Sequence, residues 1–89
     1  MQYRDRERLN AWLVEVRTRR RSVRPSEVDR VLGLAGFVRR SGKGDHRVYS
    51  HPNRPRLVTI DPRSPLLPSY VSDVIAAVEE ILNAEDAAG

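Results

Sequence analysis

With 89 residues the chain has room for one domain, and a core of that size buries only about two thirds of the surface exposed on unfolding, so a multidomain enzyme is excluded. The absence of cysteine excludes disulfides, thiolate catalysis and Cys-ligated metal centres. The formal net charge of +4 conceals an asymmetry, because all 16 Lys and Arg lie in residues 1–63 while residues 64–89 carry only acids. A strongly positive body with an acidic last element points to a nucleic-acid binder, since phosphate neutralisation supplies the sequence-independent part of affinity.

In chain order, Leu9, Trp12, Leu13 and Val16 fall at the spacing of one helical face and predict an amphipathic helix over roughly 4–20, closed by a run of arginines. Ser22 to Pro25 reads as a linker, since Pro25 disfavours a helical conformation at Arg24. Ser26 and Asp29 have the spacing of a capping box at the start of a second helix, whose apolar face is Val28, Val31, Leu32 and Ala35 and whose stop is Gly36. Phe37 to Arg40 is a short strand, and Ser41 to Asp45 a loop of small, permissive residues. Strands over 46–51 and 57–60 flank the turn at Pro52 to Pro55, which makes an antiparallel meander. Val71, Val74, Ile75, Val78, Ile81 and Leu82 then mark a last helix, with 83–89 expected to fray. The predicted fold is a single α+β domain over 1–89: an α-β-β-β-α sandwich with an additional N-terminal helix over 1–21.

The longest strictly apolar run, Val74 to Val78, is far short of the roughly 18 residues of a membrane span. With no apolar secretory segment in the first twenty residues, the expected location is the cytoplasm. Gly36 to Lys43 departs from a phosphate loop in both spacing and its final residue, and His46 and His51 have no carboxylate cluster beside them, so neither nucleotide hydrolysis nor a bound metal is implied. No cofactor is expected.

The segment Gly42 to Tyr49 carries the chemistry that remains. It sets His46 at the mouth of a strand, after a flexible loop and among Arg39, Arg40, Lys43, Arg47, Arg54 and Arg56. Two readings stand for His46: a hydrogen-bonding loop residue, or a general base that removes the proton of an RNA 2′-hydroxyl while the cations stabilise the phosphorane. Tyr49 either stacks on a base or packs across the strands. His51 reads as a solvated turn residue, or else as an acid for the leaving oxygen. Trp12 packs the first helix onto the sandwich, and the acids of the last helix read as a solvated face.

Leu34-Ala35-Gly36-Phe37, the Gly44-Asp45-His46 triplet six residues on, Tyr49, His51-Pro52 and Leu57-Val58-Thr59-Ile60 ahead of Pro62 follow one another with an ordered spacing. Over residues 24–82 the chain thereby resembles the HicA toxins of bacterial toxin–antitoxin systems. That resemblance implies a fold like a double-stranded-RNA-binding domain, metal-independent cleavage of mRNA, a catalytic role for His46 and neutralisation by a HicB-like antitoxin protein. RNA contacts are expected from Arg39, Arg40, Lys43, Gly44, Arg47, Tyr49 and Arg56. The alternatives are a non-catalytic RNA- or DNA-binding module of the same fold, and an adaptor that docks a partner through the N-terminal helix.

Overall fold

The computed structural model describes residues 1–88. Its elements are α1 (Tyr3–Val16), α2 (Pro25–Leu34), β1 (Val38–Ser41), β2 (Arg47–His51), β3 (Arg54–Ile60) and α3 (Pro68–Ala88). The strands form one antiparallel sheet in the order β1-β2-β3, so β2 is central and both neighbours are edges. Arg39, Tyr49 and Val58 face one another across the sheet, as do Ser41, Arg47 and Ile60.

The core lies between the sheet and the helices. Tyr49, Val58 and Ile60 are buried on the sheet side against Val28, Val31 and Leu32 of α2 and Val71, Val74, Ile75 and Val78 of α3. The alternation of strand side chains leaves the opposite sheet face open, with Val38 and Leu57 more than half exposed. Pro55 fits in β3 because that strand is an edge, where a missing backbone donor breaks no ladder bond on the free side.

Helix α1 completes the core, with Leu9, Trp12, Leu13 and Val16 all buried. The indole nitrogen of Trp12 donates to Glu27 Oε2 at 2.7 Å, and Arg19 donates to both oxygens of the same carboxylate at 3.0 and 2.6 Å. Burial pushes the Glu27 carboxyl up, but the hydrogen bonds from Arg19 and Trp12 and the charges of Arg19 and Arg30 outweigh it and hold the group below its ordinary 4.5. A depressed carboxyl contributes stability above the unfolded value that is lost as pH falls through the folded one. Acidification below about pH 4.5 therefore weakens the α1–α2 junction. In urea titrations at stepped pH, Glu27→Gln should lower stability at neutral pH and flatten the decline on the acid side.

Five expectations are corrected. Helix α1 ends at Val16 instead of near residue 20, where the Thr18 and Arg19 N–H groups donate to the Glu15 and Val16 carbonyls in turns, and β3 begins at Arg54, inside the expected 52–55 turn, because Arg54 pairs with His51. Helix α2 begins one residue earlier than Ser26: Pro25 occupies its first turn, Arg24 is the cap, and no side chain caps it. Proline suits that position because the first helical N–H has no partner to lose. Asp29 is drawn instead to Arg39 and Tyr49. The segment 83–88 is helical to Ala88, since Asp86 pairs with Arg6 and Glu85 with the N-terminal ammonium at 3.5 Å; Gly89 lies outside the described residues. The acids of α3 also do not form a free solvated face. Glu79 pairs with Arg17 at 2.7 Å, and Glu80 pairs with Arg54, which keeps the carboxyl below its ordinary range.

Candidate nucleic-acid interface and catalytic histidine

His46 sits in the β1–β2 connection, where Gly42 N–H donates to His46 O at 2.9 Å and His46 N–H to Lys43 O at 3.4 Å. The side chain is exposed, and its Nδ1 lies 3.2 Å from the same Lys43 carbonyl. A carbonyl only accepts, so this contact places a ring hydrogen on Nδ1, and in the neutral imidazole the lone pair is then on Nε2.

Two glycines shape the loop for different reasons. Gly44 has φ +66, the left-handed region, with open space around its Cα. A Cβ on Gly42 would stand 2.7 Å from the His46 carbonyl oxygen and 3.0 Å from Val48 Cγ2. Gly42→Ala should therefore cost about 1–3 kcal/mol, the range of overpacking, and displace His46. Thermal melting together with the NMR resonances of the His46 ring checks this, with Gly44→Ala expected to disturb the ring less.

Around this loop the structure gathers part of the expected set. Gly44 lies within the turn, Lys43 supplies its carbonyl, Arg47 opens β2 directly after His46, and Arg40 stands opposite Val48 on the open sheet face. Among the described residues, Arg40, Lys43 and Arg47 have no ion-pair partner. Arg39 and Arg56 lie on opposite edge strands, and Arg39 is paired with Asp29 at 3.2 Å.

Three side chains differ from expectation. Tyr49 is 1% exposed and its hydroxyl donates to Asp29 Oδ1 at 2.9 Å, so its ring packs in the core and offers no face to a base. Burial, reinforced by the bond to Asp29, pushes its phenol up and keeps it a donor. Arg54 is 7% exposed, tied to Glu80 and to the Arg56 carbonyl at 2.8 Å, and contributes nothing to the basic surface. His51 is neither a solvated turn residue nor a partner for His46. Its ring packs on Phe37 with centroids 5.0 Å apart, and its Nδ1 accepts from Asn53 N–H at 3.0 Å. It ends β2 while His46 precedes the start of that strand, about 16 Å away at the rise of an extended chain.

A three-stranded antiparallel sheet covered on one face by helices, with an exposed imidazole in the β1–β2 connection and the unpaired Arg40 and Arg47 on opposite faces of the strands that flank it, defines a small α+β domain. The model of a family described as the HicA toxin of bacterial toxin–antitoxin systems matches residues 25–80, more than half of the chain. The chain belongs to the HicA toxin family, and its helix–sheet core is the α-β-β-β-α fold, like that of double-stranded-RNA-binding domains, expected of that family. The match begins at the first residue of α2, so α1 lies outside the matched segment. Membership implies a partner within a toxin–antitoxin system. No curated protein and no solved structure gives a significant match. Among the described residues, no helix is long and apolar enough to cross a membrane.

Proposed function

We propose that the protein is a metal-independent endoribonuclease acting on mRNA, with His46 as the general base. The observation that carries this reading is the exposed His46, its Nδ1 tied to the Lys43 carbonyl, within the family-matched segment. Nε2 takes the proton of an RNA 2′-hydroxyl, and that oxygen attacks the adjacent phosphorus. The bond to the 5′-oxygen breaks, and this oxygen leaves with a proton returned by the imidazolium or by water. Lys43 and Arg47, the cations nearest to His46 in the chain, offset the charge that grows on the phosphorane oxygens, and Arg40 on the open sheet face binds RNA further along. Gly44, with open space around it, lets the RNA backbone approach the loop.

Under this reading the site works in the cytoplasm, where mRNA is found, and a HicB-like antitoxin silences it by covering His46. The test is incubation with a defined RNA in EDTA and analysis of the fragment ends. The expected ends are 2′,3′-cyclic phosphate and 5′-hydroxyl, and a substrate with a single 2′-deoxy sugar at the cleavage position should remain intact there. RNA that is bound but never cleaved would instead assign the protein as a binding module.

A further inference from the structure

The α1–α2 linker, outside the segment matched by the family, carries a second concentration of positive charge. Arg21 and Arg24 are exposed and, with Ser22, Ser64 and Pro65, line a shallow surface pocket. Neither has an ion-pair partner among the described residues, although Arg6, Arg17, Arg19, Arg39, Arg54 and Arg63 all do. Nearby carboxylates are already engaged: Glu27 by Arg19 and Trp12, and Asp61 by Arg63 at 2.7 Å. Two guanidinium groups thus face solvent with no protein anion to neutralise them.

The topology puts this pocket at the same end of the domain as His46. Ile60, the last residue of β3, stands opposite Arg47, which directly follows His46. From there the chain runs through Asp61 to Leu66, whose N–H donates to Val23 O at 2.8 Å and fastens the linker to the β3–α3 connection. The direction of α2 agrees: Gly36, just past its C-terminus, packs on the ring of His51 at the far end of β2, and Asp29 bonds Tyr49, so the N-terminus beside Arg24 points toward the His46 end. Arg20 is anchored alongside by its bond to Ser72 Oγ at 2.8 Å.

We infer that Arg21 and Arg24 form a phosphate-binding subsite that extends the RNA path from His46 onto the linker, so that the N-terminal addition lengthens the footprint of the family core. The inference rests on the proposed RNA function. Such contacts hold the backbone without reading its sequence, and their loss weakens binding alike for all sequences.

The experiment measures the affinity of a short labelled single-stranded RNA across a salt series, in a His46→Ala background that prevents cleavage. The Arg21→Gln/Arg24→Gln double variant should weaken binding and reduce the slope of log K against log salt by about 1.4, the value for two lost single-strand phosphate contacts. Arg21→Lys/Arg24→Lys should keep most of the slope. Arg4→Gln/Arg8→Gln removes the same charge from α1 and should leave the slope unchanged. An unchanged slope in the linker double variant overturns the subsite, as does an equal loss in the α1 control, which would mean a diffuse field rather than a site. Loss of antitoxin binding with RNA binding intact overturns it in favour of a protein contact. Absence of RNA binding by the His46→Ala background itself refutes the proposed function, so the two failures are distinguishable.

Discussion

Replacing His46 by Ala should lower RNA cleavage by about 10²- to 10⁴-fold, the usual contribution of a positioned general base. The melting temperature should stay within a degree or two of the parent, because the side chain is exposed and its ring has a single hydrogen bond, to the Lys43 carbonyl. Expression of the variant in cells should be tolerated where expression of the parent arrests growth. His51→Ala provides the contrast. It removes the ring packed on Phe37 and the acceptor of the Asn53 N–H, so it should lower stability while leaving the chemical step intact at temperatures where the variant is folded. A His46→Ala protein as active as the parent would remove His46 from the mechanism, and a rate loss confined to His51→Ala would move the base to the other end of β2.

Much of the architecture was legible because apolar periodicity is read from local spacing alone. The spacing of Leu9, Trp12, Leu13 and Val16 marks α1, and that of Val71 to Leu82 marks α3, with no long-range contact needed. What escaped were features decided by partners distant in sequence. The segment 83–88 reads as a frayed end until Arg6 and the N-terminal ammonium are seen against Asp86 and Glu85. Asp29 has the spacing of a cap, yet Tyr49 and Arg39 claim it from the sheet. At the site, His46 and its glycine-bearing loop were readable because the loop is local. The division of the arginines into paired and free was not, since it depends on which carboxylate each fold element brings within reach. Arg54 and Arg56 look alike in sequence, but only Arg54 is buried against an α3 glutamate.

Helix α1 puts four side chains, Leu9, Trp12, Leu13 and Val16, into the core, so truncation there is costly. Trp12→Ala should destabilise the domain by about 3–5 kcal/mol, as for other large aromatic truncations in a core. For a domain of this length that is a large share of a total of about 4–13 kcal/mol. The variant also takes the indole donor from Glu27, leaving a half-buried carboxylate on Arg19 alone. Trp12→Phe keeps one ring in the core but loses that bond and part of the indole's packing, so its cost should exceed the roughly 1.5–3 kcal/mol of a hydrogen bond to a charged group only modestly and stay below that of Trp12→Ala. Denaturation curves followed by circular dichroism separate the two variants from the parent. In the parent, Trp12 is the sole tryptophan, so its fluorescence reports the docking of α1 while circular dichroism reports the whole domain. With Leu9 and Val16 fully buried in the common core, the two probes should give one coincident transition, and removing residues 1–20 should abolish cooperative folding. A fluorescence transition that precedes the loss of ellipticity, or a truncated chain that still melts cooperatively, would show that α1 is a detachable appendage on a self-sufficient family core.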